Sequence, residues 1–232
     1  MSRVYVYAIL GDAPTASLGH GLAGEPITLL TAGHLVAAVG AMDEPPTASR
    51  AAVLGHDAVV RRLCDVSAAI LPTRFGMVDD ASALTEWLRA AADALGDALR
   101  LVAGREQMTL HVFDGDEPPA VDAVDPPDDA GEESGGGPGT RYLALRRRQR
   151  RREESLPELA PLRGRLDALV VAERTERRAT PPFRASVYHL IERGRSADYR
   201  AVVDAGHALV RGVRLRVSGP WAPYAFAPDP LS

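Results

Sequence analysis

The chain opens on an unbroken apolar run, residues 4–10, built from valine, tyrosine, isoleucine and leucine around one alanine. Ringed and β-branched side chains suit a pleated, buried surface, so the run predicts a strand. Gly11, Asp12 and Pro14 end it. Residues 27–30 and 35–39 predict two more strands, joined as a hairpin with Gly33 in the turn. Between residues 50 and 70 the period changes. Val59, Val60, Leu63, Val66 and Ile70 recur at three-and-four spacing, which predicts an amphipathic helix. Pro72 cannot continue it. Residues 73–78 predict a strand. Asp79 or Asp80 then caps a second helix with Leu84, Trp87, Leu88, Ala91, Leu95, Leu99 and Val102 on one side and Gly104 just past its end. Residues 108–113 predict a further strand. The order β-ββ-α-β-α-β, with both helices on one face of a mostly antiparallel sheet, predicts an α+β domain of ferredoxin-like type over residues 1–113.

Residues 140–152 start with Tyr142, Leu143 and Leu145 and then turn basic. Helix is predicted from there to about residue 178, with Leu159, Leu162, Leu166, Leu169 and Val170 on one side. Pro157 and Pro161 break or restart it near Ser155. Residues 183–192 predict a strand. Ser196 caps a helix carrying Tyr199, Val202, Val203, Gly206, Leu209 and Val210, and Gly212 ends it. Val213, Leu215 and Val217 then alternate with Arg214, Arg216 and Ser218, as in a half-buried strand. A rigid, ring-rich tail follows at residues 219–224. Residues 140–232 thus predict a second, smaller α+β domain with a helical lead-in.

Charge separates these units. Net charge is −4 over 232 residues, but residues 1–113 carry −4, residues 114–140 carry −9 and residues 141–232 carry +9. Residues 114–139 are rich in proline, glycine and acid and poor in apolar side chains, so they read as a flexible acidic linker. The run Arg146, Arg147, Arg148, Arg150, Arg151 and Arg152 follows directly. It offers sequence-blind attraction to phosphate. However, no aromatic residue interleaves it to stack a base, and the adjacent acidic segment repels nucleic acid, which favours a solvated face or a protein partner.

Composition narrows the chemistry further. All 27 basic residues are arginine, so a lysine Schiff base, a lysine general base and a Walker lysine are excluded. One cysteine, Cys64, cannot form an internal disulfide and reads as a buried, inert thiol. The N-terminus reads as a strand rather than a leader, and no stretch approaches a spanning helix, so a cytoplasmic protein without a membrane segment is expected. Gly19, Gly21 and Gly24 match a dinucleotide fingerprint, but Pro26 and a strand follow where a helix is required, so the segment reads as a turn. None of the six histidines pairs at metal-ligand spacing, and no nucleophile elbow exists. No catalytic residue, metal or cofactor is expected. A small-molecule-binding or enzymatic alternative needs His56, Arg74 and His111 brought together.

Several blocks nevertheless stand out: Tyr5-Val6-Tyr7, His56-Asp57, Leu71-Pro72-Thr73-Arg74-Phe75-Gly76-Met77-Val78, Gly104-Arg105-Glu106, Gly139-Thr140-Arg141-Tyr142-Leu143, and Gly219-Pro220-Trp221-Ala222-Pro223-Tyr224-Ala225-Phe226. In this order and separation the chain resembles the gas vesicle accessory protein family GvpL/GvpF. The resemblance implies two α+β domains and a non-enzymatic role in building gas vesicles. It also implies binding to the vesicle shell protein and other accessory proteins, and a place at the vesicle's inner, gas-facing surface. The family usually runs from Gly-Thr-x-Tyr-Leu into a long helix, which Pro157 and Pro161 interrupt here. A shell subunit must expose an apolar face, which an accessory protein could mask or meet with a sheet edge. Phe75, Trp221, Tyr224 and Phe226, with the arginine run, are the candidate partner-binding residues.

Overall fold

A computed structural model describes residues 2–115, 156–177, 181–229 and 231. Residues 116–139 of the acidic linker, the basic run 146–152 and the lead-in up to residue 155 lie outside the described residues.

The first sheet is built around β1 (Arg3–Leu10). On one side β1 pairs antiparallel with β3 (Leu35–Ala41), which pairs with β2 (Ile27–Ala32) through a tight turn where Gly33 takes φ 68°. On its other side β1 pairs with two short pieces, β4 (Ile70–Pro72) and β5 (Val78–Asp80). Of the strand expected at residues 73–78 only Val78 is in a strand, and residues 73–77 are the gap between two strands. Ala8 pairs with Pro72 and Tyr5 with Val78, so residues 73–77 stand opposite only Val6 and Tyr7 and bulge outward. Gly76, at φ 91°, allows that excursion, since a side chain there would strain the backbone.

Among the described residues three helices cover this sheet. α1 (Arg50–Val66) is capped by the Ser49 hydroxyl, and α2 (Ala81–Ala90) by the Asp80 carboxylate, as its position before the apolar stripe foretells. The expected single second helix is two, α2 and α3 (Ala92–Val102), offset at Ala91. The helices also do not share one face. Val4, Val6 and Ile9 meet α2 and α3, whereas Tyr5, Tyr7, Ala8 and Leu10 meet α1. A bulge between Val6 and Ala8 turns Tyr7 and Ala8 to the same side. This double coverage is why the β1 run is continuous rather than alternating.

The strand expected to complete the first sheet, β6 (Arg105–Asp114), lies instead inside the second. There the order is β7 (Val170–Arg177), β8 (Phe183–Glu192), β6, β9 (Val213–Trp221), all antiparallel. Alternation in a sequence fixes a strand's two faces but not its neighbours, and β6 pairs with segments far along the chain. The helix expected to reach residue 178 is also corrected. A 3₁₀ turn at Pro157–Leu159 leads into α4 (Ala160–Leu166), which stops there, and β7 occupies the rest. Val170, Val171 and Thr175 are β-branched and suit a strand. α5 (Ser196–Gly206) begins at Ser196 rather than after it, and Glu106 of β6 accepts the Gly194 N–H at 3.2 Å beside that helix start.

Met108, Leu110 and Val112 of β6 face Leu156, Leu159, Leu162, Leu166, Tyr199 and Val203, forming a core of their own. On the opposite face, Leu190 joins the core of the first sheet together with Phe226, Ala227 and Leu231. The chain after β9 thus runs between the two halves. Arg74 N–H donates to the Leu231 carbonyl at 2.9 Å, and Ala225 N–H to Gln107 Oε1 at 2.9 Å.

Candidate functional site

Four of the blocks singled out in the sequence meet beside α1. Tyr5 and Tyr7 leave β1 on the same side, their ring centroids 4.8 Å apart. His56, one helical turn ahead of Val60 on the buried stripe of α1, lies against both. Its Nδ1 is 2.8 Å from the Tyr5 hydroxyl and its Nε2 is 3.0 Å from the Thr73 carbonyl. A carbonyl only accepts, so Nε2 carries the proton and Nδ1 accepts from Tyr5. The Tyr5 oxygen in turn accepts the Gly76 N–H at 3.0 Å. Burial pushes the His56 pKa down to about 4, only partly offset by the Thr73 bond, so this imidazole is neutral. Burial likewise pushes the Tyr5 phenol up to about 12. Phe75 closes the nest, edge-on to Tyr5 and His56 at 6.4 and 6.1 Å. Tyr7 donates to Glu25, whose other oxygen takes the Ala23 N–H at 2.9 Å.

The tail supplies the fourth side. Tyr224 packs into the same core as Tyr5 and α1, and burial holds its phenol well above the ordinary range. The Arg61 guanidinium sits 5.1 Å over the Trp221 ring and 2.7 Å from Asp57. Phe226, 1% exposed, lies in the core on the far side of the sheet, with Arg174 over its ring at 5.6 Å. As a candidate anchor, Phe226 is therefore corrected to an interior residue: a ring that closes the core in this way offers no free surface. Phe75, Trp221 and Tyr224 keep part of their surface, whereas the candidate arginines at 146–152 lie outside the described residues.

A second polar group, unmarked in the sequence reading, sits under α4. Arg163 grips Glu173 with two of its nitrogens, Nε at 3.2 Å and Nη2 at 2.8 Å. His189 Nε2 reaches Glu173 at 3.0 Å, and His189 Nδ1 is 2.6 Å from the Tyr199 hydroxyl. Burial alone would raise the Glu173 pKa, but hydrogen bonds from His189 and Arg163 outweigh it and hold the carboxyl down at about 2. The signal for this group was present: His189 occupies the apolar face of β8 with Ala185, Val187 and Ile191, where a polar residue demands partners.

The second group does not open onto a substrate-sized space among the described residues. The gap lined by Leu110, Leu162, Leu166, Glu173 and His189 is too tight for a water molecule. His56 and His111 satisfy themselves in different halves, His111 on Ser218 at 3.0 Å, and Arg74 is exposed on its loop, so these three do not converge. Cys64 is a half-buried thiol pushed up to about 11 by burial. Among the described residues no three His, Cys, Asp or Glu gather as a metal site, and no helix is long and apolar enough to cross a membrane.

Together the fold and its polar nests define a two-sheet α+β scaffold in which four of the sequence blocks meet beside α1. Residues 3–228 match the family described as gas vesicle synthesis protein GvpL/GvpF, and the chain belongs to that family. It is 30% identical to gas vesicle protein L of Streptomyces sp. strain CB03234 over 247 residues, covering 96% of this chain and 92% of that protein. It is 26% identical to gas vesicle protein F2 of Halobacterium salinarum over 231 residues, covering 97% and 92%. Its fold is similar to the crystal structure of GvpF from Anabaena sp. PCC7120, with TM-score 0.70, 19% identity, and coverage of 98% of this chain and 97% of that one.

Proposed function

We propose that the chain is a non-enzymatic accessory protein of gas vesicle formation that binds the apolar shell subunit, and other accessory proteins, at the inner face of the growing vesicle. The family match across residues 3–228 carries this reading. The geometry supports it. The buried histidines and tyrosines spend their polar atoms on one another and on neighbouring groups of the fold, which suits a scaffold for a binding surface better than a reaction centre. Shell subunits must bury apolar surface before they assemble, and a stable partner surface prevents their aggregation. The part-exposed rings of Phe75, Trp221 and Tyr224 are the proposed apolar contacts. The Arg146–Arg152 run supplies steering toward acidic accessory partners.

The test is recovery of the shell protein with the tagged chain, paired with deletion of its gene. Shell protein should co-purify and vesicles should be lost on deletion. Absence of co-purification with intact vesicles overturns the reading. A folded Trp221→Ala/Tyr224→Ala variant that captures shell protein as well as wild type removes the tail from the interface. Capture of accessory partners should weaken between low and high salt if the arginines steer it.

A further inference from the structure

The sheets end in edge strands, and among the described residues all but one of these edges are guarded. β7 carries Glu173, Arg174, Glu176 and Arg177; β9 carries Arg214, Arg216 and Pro220; β4 and β5 are three residues each, with Pro72 in one and Asp79 and Asp80 in the other. Such charges, prolines and short lengths keep an edge from pairing with another chain. β2 reads Ile-Thr-Leu-Leu-Thr-Ala, six residues with no charge and no proline.

Its open backbone groups follow from register. The two-residue turn of Gly33 and His34 is closed by the Ala32–Leu35 pair, and pairing runs without a shift to Ile27–Gly40. Hydrogen-bonded pairs alternate with non-bonded ones. Ala32, Leu30 and Thr28 therefore bond β3, whereas Thr31, Leu29 and Ile27 turn their N–H and C=O outward. The Ile27 N–H confirms the phase, because it donates outward to the Gly19 carbonyl at 3.1 Å. Among the described residues nothing takes the N–H or C=O of Leu29 or Thr31. Leu29 and Leu30 are half-buried on opposite faces, against the α1 core and the α2–α3 core respectively.

We infer that the β2 edge receives an extended, uncharged segment of the shell subunit, apolar on both faces, as an added antiparallel or parallel strand. The backbone of Leu29 and Thr31 supplies the hydrogen bonds, while Leu29 and Leu30 give the incoming strand an apolar neighbour on each face. The absence of charge along β2 leaves nothing to reward an acidic or basic segment there. This inference rests on the proposed function for the identity of the occupant.

The experiment follows amide exchange in the full-length chain, residue by residue, alone and co-purified with the shell protein. Exchange at Leu29 and Thr31 should slow about tenfold in the complex, with Thr28 and Leu30, already bonded to β3, unchanged. Leu29→Pro removes an outward donor without touching the β3 ladder, and a folded variant should lose about tenfold in shell-protein capture. If that variant does not fold, the exchange arm decides alone. Capture of shell protein with no change at Leu29 and Thr31 overturns the edge and leaves the accessory role standing. No capture by wild type overturns both the role and the occupant. Protection that grows with chain concentration alone makes the occupant a second copy and overturns the assignment to the shell subunit.

Discussion

Each half of the molecule buries one histidine against a tyrosine, and the two are satisfied in opposite ways. His56 sits between a phenol and a backbone carbonyl, with no charged group bonded to it. His189 bridges Tyr199 to a carboxylate that an arginine already holds at two points. The first nest gains stability by staying uncharged. The second gains it by keeping Glu173 charged. The two histidines are equally buried, so their partners rather than their depth set the nests apart.

Four measurements sharpen or break that contrast. His56→Ala removes a ring from a packed core and strands the Tyr5 hydroxyl, so urea unfolding should show a loss of about 2–4 kcal/mol. Acid should act on the first nest at milder pH than on the second. An unfolded chain protonates His56 near its ordinary value of 6.5, whereas the folded one resists until about 4. Stability is therefore complete above 6.5 and falls by about 3 kcal/mol as pH drops toward 4. Unfolding curves of a folded His56→Gln variant should be flat across that window; an unchanged slope breaks the account. Glu173 works lower. Its pKa is depressed from 4.5 to about 2, so its contribution is present above 4.5 and lost as pH falls through 2. Glu173→Gln should cost about 1–3 kcal/mol at neutral pH by leaving Arg163 half-paired, and should spare the slope between pH 6.5 and 4. The smallest effect is expected from Arg61→Ala, about 0.5–1 kcal/mol by thermal melting, because the guanidinium over Trp221 is largely exposed.

The second nest was the harder to foresee because its four members are spread across residues 163–199 on α4, β7, β8 and α5. Period and capping located β1, the β2–β3 hairpin, α1, β8 and the Asp80 cap, since each is written in adjacent residues. The first nest was half-visible in the same way. Tyr5 and Tyr7 share strand parity, and His56 stands on the apolar stripe of α1. The bulge at residues 73–77 was hidden because Thr73, Phe75 and Val78 read as strand formers, and only Gly76 hinted at the turn. The placement of β6 was hidden for a different reason. Its alternation is the same in either sheet, and the choice is made by Glu192, Trp221 and their neighbours much later in the chain. Similarly, Trp87 and Ala91 continued one helical stripe across what became a break between α2 and α3.

The closing segment has a consequence for the order of events during synthesis. Ala222, Tyr224, Phe226, Ala227 and Leu231 fill both cores of the first sheet, and the Leu231 carbonyl takes the Arg74 N–H, so that sheet lacks part of its interior until the strands of the second have been synthesised. The first sheet is thus completed only after the second has been made, and a nascent chain stalled before Trp221 would present an open apolar seam to chaperones.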